Sequence, residues 1–272
     1  LAFEPCSDSM VLVVDDVNAD DYALVWDGNS WGNAITLDTT GTIESDQSAI
    51  AVSFEAQSGH AMVTYGIDGS ADVYYRIWDG SSWSTQSSVT APAGVTGDAA
   101  WLVSATDYTS DRIALAAMSD IGEVWLSVWD GTAWEAAVLA ETGSTGTTYP
   151  NLAVAFESTT GDALAVYGQG TQTTFMYRTW DATSGWSTEQ VGLDIADVPN
   201  SLTLDSGPTS DHIMLTVQDN SNDVHYLRWD GNGWSIDNEL STNTGENKNQ
   251  PFVFIYDQDG LLVDPNAAPV NT

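Results

Sequence analysis

The residues of this chain best equipped for chemistry are its indoles and its carboxylates. Ten of the 12 Trp fall in one recurring motif. It reads Trp26-Asp27-Gly28-Asn29-Ser30-Trp31, then Trp78 to Trp83, Trp129 to Trp134, Trp180 to Trp186 with one extra residue, and Trp229-Asp230-Gly231-Asn232-Gly233-Trp234. A Trp ring is a large amphipathic surface that stacks well and carries one N–H donor. Packing between neighbouring repeats is the first role expected of these rings. Ligand stacking is the second, and its candidates are the closing rings Trp31, Trp83, Trp134, Trp186 and Trp234. Within each motif, Asp is expected to accept the backbone N–H groups of the turn, and Gly to supply a positive φ.

The carboxylates suggest cation binding. Asp219, Ser221 and Asp223 offer oxygens at alternate positions, the spacing that calcium loops use, and Asp257 with Asp259 repeats the pattern near Asp264. Both stretches also read as ordinary acidic turns, and neither carries the bidentate Glu of an EF-hand. Calcium is therefore a candidate ligand, and no cofactor is required. His60, His212 and His225 are scattered and read as polar residues at strands or turns. Cys6 is alone, so no intrachain disulfide can form. No combination of nucleophile and base assigns a catalytic residue.

The elements that must carry these residues follow from the repeat. The first Trp of each copy is spaced from the next by 52, 51, 51 and 49 residues. Each copy ends a run with strand character, such as Asp72-Val73-Tyr74-Tyr75-Arg76-Ile77-Trp78. Two apolar runs precede it, as in Leu152-Ala153-Val154-Ala155-Phe156 and Ala163-Leu164-Ala165-Val166-Tyr167, and a polar one follows. Four strands per fifty residues, with no helical period between them, is the pattern of propeller blades. The inner runs should be covered on both faces, and the polar fourth should meet water as an edge. The chain is thus an all-β propeller of five four-stranded repeats over residues 1–246. Residues 247–263 supply an extra C-terminal strand that closes the ring, or part of a six-bladed ring shared between the chain ends. Residues 264–272 read as a linker.

Charge bounds the partners. Five basic residues face 39 acidic ones, a net −34. Such a surface repels nucleic acid and anionic lipid, attracts divalent cations, and suits a marine or saline medium where salt screens self-repulsion. No apolar stretch is long enough to insert into a membrane as a helix.

The hairpins resemble those of the fucose-binding propeller lectins of fungi and bacteria, with Trp229 to Trp234 the nearest match. That resemblance implies the fold, and a sugar held between blades by Trp rings, a second-strand Arg and a Glu three residues before the first Trp. Here the Glu position holds Ala23, Tyr75, Leu126, Tyr177 and Tyr226, and the Arg position holds Leu12, Thr64, Leu115, Val166 and Leu215. Sialidases carry related hairpins but need three converging arginines, and Arg76 and Arg178 occupy equivalent positions in different repeats. The tail Asp264 to Thr272 looks like linkers between domains of large bacterial surface proteins. The functional expectation is a non-catalytic, extracellular or cell-surface module within a longer chain or assembly, binding a glycan or protein partner or acting as a spacer. A carbohydrate-active enzyme is the alternative, and it predicts two carboxylates converging on one face of the ring.

Overall fold

The computed structural model describes residues 1–5, 7–16, 18, 20–40, 47–144, 148–242 and 244. The strand predicted within 247–263, the tail at 264–272, and Asp257 and Asp259 lie outside them.

Five antiparallel sheets follow one another along the chain. Blade 1 is β1 (Ala2–Phe3), β2 (Ser9–Asp15), β3 (Asp21–Asp27) and β4 (Trp31–Asp38). Blade 2 is β5 (Ile50–Phe54), β6 (Ala61–Tyr65), β7 (Val73–Trp78) and β8 (Ser87–Val89). Blade 3 is β9 (Ala99–Thr106), β10 (Ile113–Ser119), β11 (Val124–Trp129) and β12 (Val138–Glu141). Blade 4 is β13 (Leu152–Phe156), β14 (Ala163–Gly168), β15 (Thr174–Asp181), β16 (Gly185–Trp186) and β17 (Gln190–Asp194). Blade 5 is β18 (Pro199–Ser206), β19 (Ile213–Asp219), β20 (Val224–Trp229) and β21 (Trp234–Ser241). Among the described residues no helix is long and apolar enough to cross a membrane.

Each blade is a meander whose strands pair in chain order, which short turns enforce. Blade 4 departs in one detail. Its outer strand is broken into β16 and β17, both paired with β15. The break follows the longer hairpin, where Ala182 stands in the place of the usual Gly and the positive φ moves to Gly185 at +69°.

The apolar clusters lie between blades. Val11, Val13, Ala23 and Val25 of blade 1 meet Phe54, Val63 and Tyr65 of blade 2, and Ala116, Met118 and Leu126 of blade 3 meet Val154, Phe156 and Tyr167 of blade 4. The second and third strands of blade 3 are buried along their whole length, whereas β8 and β17 are largely exposed. That is the inner-to-outer gradient predicted from polarity. First strands of successive blades are neighbours, and β1, β5, β9, β13 and β18 all contribute to the wall of one axial cavity of about 850 Å³. This is a β-propeller.

Candidate functional site

The hairpins are built as their residue types require. Asp27 Oδ1 accepts the N–H groups of Asn29 and Ser30 at 2.9 and 2.8 Å, and Asp130 Oδ1 accepts those of Thr132 and Ala133 at 2.7 and 2.8 Å. Asp79, Asp181 and Asp230 repeat the arrangement. These donors favour the charged form. Backbone N–H groups hold Asp27 below the usual carboxylate range, and the hydroxyl of Thr132 leads in holding Asp130 there. Gly131 follows with φ +97°, and a Cβ there would stand 3.3 Å from Asp111 Cβ.

Between blades 2 and 3 these hairpins meet aromatic partners. Tyr75 packs edge-on against Trp129 and Trp134, with ring centroids 5.9 and 6.1 Å away. Trp129 donates Nε1–H to buried Glu55 Oε1 at 2.6 Å. Asp111 Oδ1 accepts the N–H groups of Gln57 and Ser58 across the interface. The junction of blades 4 and 5 repeats every part. Tyr177 packs against Trp229 and Trp234 at 5.5 and 5.8 Å. Trp229 Nε1 donates to Glu157 Oε1 at 2.6 Å, and Asp211 Oδ1 accepts from Thr159 and Thr160. Burial pushes the Glu157 carboxyl up, against the bonds from Thr160 and Trp229.

The other two junctions are made differently. Trp180 Nε1 donates to Glu135 Oε2 at 2.9 Å, a carboxylate just beyond the preceding hairpin, and the Arg112 guanidinium lies 5.6 Å from its ring centroid. Tyr167 donates to Glu189 at 3.1 Å and accepts from Arg178 Nε at 3.3 Å, while Arg178 also reaches Ser187 O and Leu139 O. Between blades 1 and 2, Trp83 Nε1 donates to Asn33 O at 2.7 Å.

The structure therefore separates the five predicted stacking residues, one per blade, and gives them unequal surroundings. Trp134 and Trp234 are flanked by Tyr, Trp83 is tied to blade 1, Trp186 packs against the core between blades 3 and 4, and Trp31 is 43% exposed. A groove of about 360 Å³ opens beside Trp134. Its walls include Tyr75, Ser88, Val89, Thr90 and Glu135. The residues that the motif did not disclose are Tyr75, Tyr177 and Glu135. The recurrence of Tyr three residues before Trp78 and Trp180 is the visible signal of the two tyrosines.

Asp219 Oδ1 accepts N–H groups from Ser221 and Asp223, both at 2.9 Å. Its Oδ2 lies 3.5 Å from His225 Nε2, and Ser221 Oγ donates to Asp197. Donors thus already surround much of this carboxylate. Among the described residues no group of three or more His, Cys, Asp or Glu side chains is arranged to hold a metal ion.

No protein-family model and no curated protein matches the chain. Solved structures do. The fold is similar to a fungal lectin from Aleuria aurantia, described as a six-bladed β-propeller with a fucose recognition mode, at TM-score 0.54 and 18% identity over 86% of this chain and 75% of that one. It is also similar to the lectin BP39L of Burkholderia pseudomallei, at TM-score 0.60 and 14% identity over 86% and 67% of the two chains. AofleA of Arthrobotrys oligospora gives TM-score 0.55 and 12% identity over 86% and 69%. The departures from the fucose-lectin pattern have a structural reason. Tyr75 and Tyr177 fill the Glu position with rings packed on the next hairpin, and Leu115, Val166 and Leu215 are fully buried between blades.

Proposed function

We propose that this chain is a non-catalytic carbohydrate-binding propeller module, and that its outer inter-blade grooves receive a neutral sugar. One observation carries the reading: the groove beside Trp134 combines an indole edge, a second aromatic wall in Tyr75 and a polar rim in Thr132 and Glu135. An apolar wall with a few convergent polar groups is the usual make-up of a small-ligand site. The likeness to lectins agrees with it. The four arginines support the non-catalytic part, since each is engaged by groups of the scaffold: Arg76 on Ser84 O, Arg178 on Ser187 O and Leu139 O, Arg112 beside Asp107 and the Trp180 ring, Arg228 on Ser235. We place the module outside the cell, in an adhesive or spacing role within a surface assembly, because its acidic, lysine-poor surface suits a saline medium.

A glycan array, followed by calorimetric titration of the strongest hits, tests the reading. Trp134→Ala should weaken binding at least tenfold, while Trp134→Phe retains most of it. Arrays silent across neutral and fucosylated glycans, with the protein folded, would overturn the proposal.

A further inference from the structure

The seven large hydrophobic side chains that the described surface exposes are not scattered evenly. Leu1, Phe3 and Tyr108, exposed by 60%, 66% and 70%, all line the axial cavity. Exposed apolar groups gathered at one concave opening mark a binding site more often than single ones do.

Tyr108 also breaks the repeat. The residue two places after the end of the first strand is Pro5 in blade 1, Ala56 in blade 2, Ser158 in blade 4 and Pro208 in blade 5. Only blade 3 places an aromatic ring there, so the turn itself does not demand one. That turn is rigid. Asp107, fully buried, accepts the N–H of Thr109 at 2.8 Å and the hydroxyls of Thr109 and Ser110 at 2.6 and 2.5 Å. The ring is thus presented from a backbone already fixed in place, which lowers the entropy lost on binding.

Below the rings the wall is rich in hydroxyls. Ser53 and Ser104 bond to each other at 2.7 Å, and Thr106 and Ser206 donate to Phe54 O and Phe156 O. Asp205 is the one acidic side chain of the lining. With a net charge of −34 around it, the cavity disfavours anions. Its size, about 850 Å³, falls among pockets that bury small ligands, roughly 300–1,000 Å³. A ligand with hydroxyls on its rim and an apolar face matches this wall.

We propose that the axial mouth is a second binding site, in which Tyr108 and Phe3 hold a neutral pyranose. The proposal rests on the reading of the chain as a carbohydrate-binding module, but it places the sugar on the propeller axis, apart from the inter-blade groove. The test is calorimetric titration of the whole chain with the methyl glycosides of fucose, galactose, mannose and glucose. Tyr108→Ala should cut the affinity of one binding event at least tenfold, Tyr108→Phe should keep it within threefold, and Trp134→Ala should leave that event unchanged. Phe3→Ala, in blade 1 of the same lining, should weaken the same event. Binding that responds to Trp134→Ala but to neither axial variant would overturn the axial site and leave the groove standing. No heat with any glycoside on the folded wild type would overturn both.

Discussion

Two kinds of blade junction alternate from blade 2 to blade 5. Those between blades 2 and 3 and between blades 4 and 5 share a buried Glu at the end of the first strand, an Asp bridging to two N–H groups of the neighbouring turn, and a Tyr packed on both Trp rings. The junction of blades 3 and 4 instead holds its Trp through Glu135 and carries a half-buried Tyr167–Arg178 pair. Tyr65 and Arg76 occupy the corresponding places between blades 1 and 2. Over blades 2 to 5 the junctions therefore repeat every two blades, about a hundred residues, although the hairpins recur every fifty. The same Trp-Asp motif serves two different interfaces, so it marks the blade and does not by itself specify what the ring touches.

The contrast predicts unequal costs. Trp229→Ala removes a ring that is nearly fully buried, bonded to Glu157 and packed on Tyr177. It should destabilise the chain by about 3–5 kcal/mol in chemical denaturation. Trp31→Ala, at the closing rather than the opening Trp of the blade 1 hairpin and 43% exposed, should cost under about 1 kcal/mol. Equal losses at the two sites would show that the hairpin stabilises its own blade and that the junction adds nothing.

The acceptors sharpen the comparison at lower amplitude. Glu157→Ala leaves the buried Trp229 N–H without its acceptor and should cost about 2–3 kcal/mol, of which Glu157→Gln restores a part. Glu135→Ala acts on Trp180 from a half-exposed position and should cost about 1 kcal/mol. Denaturation midpoints for the three variants rank the two junction types directly.

The sequence disclosed the strands, the meander and the turns because each rests on local chemistry: alternating polarity, a carboxylate two residues before an N–H donor, a Gly able to take φ +90°. It disclosed less about the junctions, which depend on residues fifty or seventy positions apart. Glu55 and Trp129 look unrelated on paper, and so do Asp111 and Gln57. Tyr75 and Tyr177 were visible as departures from the fucose-lectin pattern, but only the packed structure shows that their rings lie on both Trp rings of the next hairpin. Tyr108 stayed hidden because it is unique among the repeats, and a search for recurrence passes over the residue that does not recur.

A pH-dependent effect distinguishes the junction of blades 1 and 2. Asp21 opens β3 where Val124 and Val224 open the matching strands, and it is 5% exposed. It pairs directly across from Asp15 on one side and Asp38 on the other. Burial first, then repulsion from Asp15, Asp38 and Asp20, raises its pKa to about 7 from an ordinary 3.8. A raised carboxyl means that the folded state holds its proton more tightly than the unfolded chain does. The stabilising contribution of the neutral group is complete below about pH 4, and it is lost as the pH rises through about 7. Wild type should therefore lose stability over that window relative to Asp21→Asn, with a difference on the order of 2 kcal/mol at pH 8 and close to none at pH 4. Asp21→Val should gain at least as much at pH 8, because it restores the apolar residue that blades 3 and 5 use there. Parallel pH profiles for wild type and Asp21→Asn would show that the three-aspartate row is not held as the packed junction requires.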